Sequence, residues 1–189
     1  MDNPRAFLTI VAGRPGSGKT TLAHSLARSL RCPAICRDEV KEGIVNSLTR
    51  QRMPPPPDDV QRHANRAFFD AVELLLQHGV TLVAEAAFQH KLWVPRLEPL
   101  LAISTTRIVV CQVDPELARS RHLERGLADP ERERFHPDHA VEAAREGRRL
   151  PINSYDPPEF NVPTLIVDTT DNYRPPFERI VDFARGGPL

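Results

Sequence analysis

A short apolar run, Phe7-Leu8-Thr9-Ile10-Val11-Ala12, passes directly into Gly13-Arg14-Pro15-Gly16-Ser17-Gly18-Lys19-Thr20, and beyond it Leu22, Leu26 and Leu30 recur four apart. The first run has no polar face, so it needs cover on both sides, as a strand inside a parallel sheet does. The last segment carries a helical stripe. The eight residues between them fit G-x-x-x-x-G-K-[ST] without mismatch. Strand, glycine-rich turn and helix in that order dictate an open α/β sheet with the turn at the carboxyl end of a strand. Gly13, Gly16 and Gly18 let the backbone turn tightly, so that successive N–H groups face an anion at the positive end of the following helix. Lys19 adds a point charge on a long stem, and the Thr20 hydroxyl is a hard oxygen suited to Mg²⁺. Gly13, Arg14, Pro15, Gly16, Ser17, Gly18, Lys19, Thr20 and Thr21 are therefore the candidate nucleotide-binding set, with ATP and Mg²⁺ as expected cofactors.

The apolar period then switches repeatedly between two and 3.6. Ala34–Cys36, Val80–Ala84, Ile108–Val113 and Leu165–Val167 read as further strands. Helical patterns fill 20–30, 38–48, 59–78, 91–103, 115–125, 138–149 and 176–185, with Gly79 closing the third. Strands separated by helices give parallel βαβ units with helices on both faces of the sheet. One domain over 1–189 is expected, since no repeat or second unit is visible. The proline run Pro54–Pro57 must interrupt any helix, either as a plain connection or as a stiff polyproline spacer.

Composition narrows the function classes. Lys+Arg 25 against Asp+Glu 25 gives no net charge, which disfavours a protein living on non-specific nucleic-acid contacts. No apolar run reaches the roughly 20 residues of a membrane helix. The first apolar stretch is too short for a signal-peptide core. Cys32, Cys36 and Cys111 form neither a disulfide framework nor a zinc spacing and read as buried reduced thiols, so the expected location is cytoplasmic. Only three of the basic residues are lysines, Lys19, Lys41 and Lys91, so the placement of each is informative.

Phosphoryl transfer needs a base near the acceptor and cations over the moving group, both at the carboxyl ends of strands. Asp38 follows the second strand and precedes Lys41 by one helical turn. It can accept the acceptor's proton while Lys41 steadies substrate, or simply cap a helix. Glu85 closes an apolar strand, where a carboxylate must be used or paired. It can orient substrate or metal-bound water, or form a structural ion pair. Arg119, Arg121 and Arg125 open a charge-dense segment reaching Arg149, which is either a solvated helical face or a lid over roughly 115–150 that excludes water. His63, Asn65 and Arg66 can face substrate, and Asp138 fits a helix N-cap after His136. The loop Asp168–Asp171 can flank a base or be an ordinary turn, and Trp93 reads as packing.

These pieces resemble, over roughly residues 5–170, the small P-loop kinases of the polynucleotide-kinase, zeta-toxin and chloramphenicol-phosphotransferase group. The resemblance rests on Gly13–Thr20, on Arg37-Asp38-Glu39 with Lys41, on Glu85 with Phe88, on Arg119, Arg121 and Arg125, and on Val162–Thr169. It implies an adenylate-kinase-like three-layer fold with five parallel strands in the order 2-3-1-4-5 and an arginine-bearing lid. It also implies Asp38 as general base, Lys19 and Thr20 as phosphate and Mg²⁺ residues, Glu85 as a substrate or metal-water partner, and Arg125 or Arg121 as the lid arginine. The expected activity is ATP-dependent phosphorylation of a hydroxyl on a small polar molecule. Polynucleotide kinases carry Arg where this chain has Lys41, and lysine lacks the fork that grips phosphate. A nucleic-acid 5′-hydroxyl acceptor is therefore the second expectation, and a non-catalytic nucleotide-binding regulator the third. The sequence is silent on oligomeric state.

Overall fold

In the computed structural model, which describes residues 5–51, 57–129 and 131–188, five strands form one all-parallel sheet. They are β1 (Phe7–Gly13), β2 (Ala34–Cys36), β3 (Leu82–Glu85), β4 (Thr105–Gln112) and β5 (Thr164–Asp168), in the spatial order β2-β3-β1-β4-β5. The expected order 2-3-1-4-5 is thus the observed one. β1 lies at the centre, pairing Leu8 with Leu82 on one side and with Thr106 on the other. Eight helices occur among the described residues: α1 (Lys19–Leu30), α2 (Arg37–Arg50), α3 (Pro57–Gln77), α4 (His90–Ile103), α5 (Pro115–Ala128), α6 (Arg132–Phe135), α7 (His139–Arg145) and α8 (Phe177–Ala184).

Alternation along β1 explains why the run is apolar throughout. Leu8, Ile10 and Ala12 point to one face, where they meet Phe68, Phe69 and Val72 of α3, and Leu97 and Leu100 of α4. Val11 points to the other, against Leu22 and Leu26 of α1 and Ile180 and Phe183 of α8. Both faces are therefore covered, and polar chemistry is driven to the carboxyl edge of the sheet.

Two of the boundaries that depart from the sequence reading are set by helix capping. Val80 is not the start of β3. Gly79, at φ 74°, closes α3, with Gly79 N–H donating to Leu76 O and Val80 N–H to Leu75 O, so Val80 completes the helix end. The helix expected over 138–149 stops at Arg145 for the same reason. Gly147 is left-handed, and the N–H groups of Gly147 and Arg148 return to Ala144 O and Ala143 O. β4 begins three residues earlier than expected, because Thr105 and Thr106 pair with the start of β1. α3 begins at Pro57, a residue favoured at a helix start. Of the run Pro54–Pro57, read as a plain connection or a polyproline spacer, Pro54–Pro56 lie outside the described residues and Pro57 opens α3.

Asp138 is the N-cap foreseen for α7: its carboxylate accepts N–H bonds from Ala140 and Val141. His122 Nε2 lies 2.6 Å from its second oxygen. That hydrogen bond, with the two backbone bonds, pulls Asp138 down to about 2. A folded value below the unfolded carboxyl, about 3.9, stabilises the fold fully above pH 4, and the contribution fades as pH falls toward 2. Asp138→Ala is expected to lower stability by about 0.5–2 kcal/mol at pH 7. The gap to the parent chain should narrow between pH 4 and 2, as read from urea midpoints.

Candidate active site

The loop between β1 and α1 has the shape its glycines foreshadow. Gly16 and Gly18 adopt φ 82° and 78°, and Ser17 N–H closes the turn on Arg14 O at 3.1 Å. The first backbone bond of α1 runs from Leu22 N–H to Gly18 O. The N–H groups of Lys19, Thr20 and Thr21 thus stand at the open, positive end of the helix. Ser17 Oγ is buried with no hydrogen-bond partner among the described residues.

Lys19 is buried, and its Nζ reaches Glu85 Oε1 at 3.6 Å, while the Thr20 hydroxyl donates to Glu85 Oε2 at 3.0 Å. Glu85, at the end of β3, is 2% exposed. Burial pushes its carboxyl above the usual range, against the pull of Lys19 and Thr20. Of the two readings of Glu85, the ion pair is the one observed, and the partners of Glu85 are Lys19 and Thr20. Ammonium and hydroxyl from the start of α1 and a carboxylate from the end of β3 form a donor set suited to a phosphate and a hard cation.

Asp38 lies in the first turn of α2 with its carboxylate 46% exposed, and Arg37 Nη1 donates to its Oδ1 at 2.8 Å. Burial alone raises Asp38, but that bond and the charges of His136, Arg37 and Lys19 bring it below the usual carboxylate range. Asp38 is thus an accessible carboxylate, held below the usual range and within the field of Lys19. It is not the N-cap of α2: the helix opens at Arg37 after Cys36, and no side chain caps it. Lys41 is lowered by burial and by the charge of Arg37.

The arginines separate by role. Arg121 donates from both Nη atoms to Thr169 O and Thr170 O, at 3.0 and 2.6 Å, and Arg119 donates to Leu150 O at 2.6 Å. Both side chains are engaged on backbone carbonyls. Arg125, exposed on α5, is lowered by desolvation and by Arg132, and it feels the opposing charges of Asp38, Glu85 and Glu42. Of the three, Arg125 shares the electrostatic field of the site.

Several residues named in the sequence reading make contacts that it did not foresee. Arg37 is buried and donates from Nε to Asn65 Oδ1 at 2.9 Å. His136 Nε2 lies 2.7 Å from Glu42 Oε1, and burial lowers the ring. Thr169 donates its hydroxyl to Ser17 O at 2.8 Å, tying the end of β5 to the phosphate loop. Trp93 packs as expected, its ring 5.4 Å from Phe69 and 5.5 Å from Phe88. The three cysteines are free, and Cys32, read as buried, is partly exposed. Although the linear spacing held no metal pattern, the fold gathers His24, Cys36 and Glu39 with ligand-type atoms within 4.8 Å of one another.

Residues 8–151 match the AAA domain family AAA_33. The chain belongs to this family. Its fold is that of a P-loop kinase. A candidate kinase from Chloroflexus aurantiacus j-10-fl superposes with a TM-score of 0.72 at 26% identity, over 98% of this chain and 100% of that one. The APS kinase CysC of Mycobacterium tuberculosis, in complex with AMPPNP and APS, gives 0.61 at 18% identity, over 96% and 99%. A gluconokinase from Sinorhizobium meliloti 1021 gives 0.51 at 18%, over 99% and 93%. No curated protein matches the sequence. Among the described residues no helix is long and apolar enough to cross a membrane.

The loop has no slack at Gly16, where a Cβ would stand 1.9 Å from Ala118 O. Gly16→Ala is therefore expected to cost at least about 2 kcal/mol, from the left-handed backbone and the clash combined. A denaturant titration measures the loss, and nucleotide affinity should fall with it.

Proposed function

We propose that this protein is an ATP- and Mg²⁺-dependent kinase that transfers the γ-phosphoryl group to a hydroxyl of a small polar molecule. The observation that carries the reading is the placement of an ionised, half-exposed Asp38 within the charge field of a buried Lys19. A loop that only held a nucleotide would have no use for a carboxylate held ionised beside it.

Lys19 and the N–H groups at the start of α1 hold the terminal phosphates. Thr20 and Glu85 are the residues that would hold Mg²⁺, directly or through water, and the ion would neutralise charge on the β- and γ-phosphates. Asp38 orients the acceptor hydroxyl and takes its proton as the oxygen–phosphorus bond forms and the γ-phosphorus–bridging-oxygen bond breaks, releasing ADP. Arg125 is the lid arginine facing the transferring group, and Lys41 lies beside the acceptor. Arg121 serves instead to brace the loop after β5. Residues 115–150, carrying α5 to α7, act as the lid of one domain.

Asp38→Asn is expected to lower kcat at least about 100-fold while leaving ATP affinity within a few-fold. Lys19→Ala should abolish ATP binding. Calorimetry with Mg·ATP and ADP release over a panel of hydroxyl compounds measure both. ATP binding with no turnover that depends on Asp38 would reassign the chain to a nucleotide-binding regulator.

A further inference from the structure

Between α3 and α4 lies an open cleft of about 790 Å³. Its charge is one-sided. Arg62, His63, Arg66 and Arg96 line it, with no Asp or Glu, in a chain whose acids and bases balance overall. Arg62 pairs with Asp59, and Arg96 lies over the Phe69 ring at 5.1 Å with Asp70 at 3.9 Å. Arg66 has no ion-pair partner among the described residues. The floor is apolar, formed by buried Phe69 and half-buried Trp93.

Two residues of the cleft lead toward the candidate site. Asn65, in its wall, accepts from Arg37 Nε at 2.9 Å, and Arg37 in turn donates to Asp38. On the other side Trp93 stands edge-on to Phe88, three residues beyond Glu85. Arg37, which joins Asn65 to Asp38, has a side chain 9% exposed, and its Nη2 is buried without a partner among the described residues. A buried guanidinium nitrogen lacking an acceptor is a standing cost that an incoming oxygen relieves.

We infer that the α3–α4 cleft binds the acceptor by an anionic group, so that the substrate is a small hydroxylated molecule carrying a carboxylate or a phosphate, with Arg66 the principal anion contact. The apolar floor takes the carbon skeleton, the arginines take the oxyanion, and the hydroxyl is presented to Asp38. The inference rests on the kinase reading for the fate of that hydroxyl; the cleft and its charge stand without it.

Trp93 is the one tryptophan of the chain and sits in the cleft, so its emission reports occupancy directly. The full chain, saturated with Mg·AMPPNP to fill the phosphate loop, is titrated with two matched pairs, gluconate against glucose and ribose 5-phosphate against ribose, and with a 5′-hydroxyl oligothymidylate. At least one anion should shift the emission saturably and bind at least tenfold tighter than its neutral partner. The pair that responds decides between carboxylate and phosphate. Arg66→Ala, at an exposed position where folding is little affected, should weaken that anion at least tenfold, and Arg66→Lys less.

Equal response to acid and neutral sugar, no response to either anion, an Arg66→Ala variant that binds as the parent does, or a response confined to the oligonucleotide would each overturn the inference. ADP release from ATP is measured in parallel. A Trp93 response without stimulated turnover upholds the cleft and removes the kinase reading. Turnover stimulated equally by neutral and anionic sugars does the reverse.

Discussion

A lysine and a glutamate, both buried, face each other across the phosphate loop, and much else follows from that pairing. In a low-dielectric setting such a pair contributes little net stability, because desolvation cancels most of the attraction. Lys19 and Glu85 are thus better understood by what they make ready than by what they hold together. β1 and β3 are hydrogen-bonded neighbours, with Val11 opposite Glu85. The ends of these two strands therefore fix where the ammonium, the Thr20 hydroxyl and the carboxylate meet. The sheet is apolar on both faces, so its carboxyl edge is the one place where those groups can gather.

From that edge the charge arrangement spreads outward in a consistent sense. Glu85 is pushed up by burial while Asp38 is pulled down by its cationic neighbours. Two carboxyls of the same site are thereby driven apart in acidity, a pattern that separates a proton acceptor from a partner held among dry neighbours. Arg125 and Arg132 press on each other near Asp38 and Glu42. A polyanionic nucleotide is what such a crowd of cations is suited to meet.

The fold was legible from the sequence because its signals are local. The apolar run of β1, the leucine stripe of α1 and the glycine at the end of α3 each need only their neighbours to be interpreted. The phosphate loop was legible for the same reason. What stayed hidden depends on partners distant in sequence. Arg37 looks like any surface arginine until Asn65, on another helix, accepts its Nε. Thr169 looks like a turn residue until its hydroxyl is found on Ser17 O. Arg121 and Arg125 share one face by spacing, yet one is spent on carbonyls after β5 while the other shares the field of Asp38. Periodicity places residues on a face, and only tertiary contact says what that face meets.

The closeness of Gly16 to the Ala118 carbonyl has an engineering consequence. The turn of backbone at Gly16 and the helix that begins the charged segment are cut to fit each other to within less than a methyl group. A transplanted loop, or a redesigned α5, would have to be exchanged together with its counterpart, since neither can be tailored alone without reopening the seam.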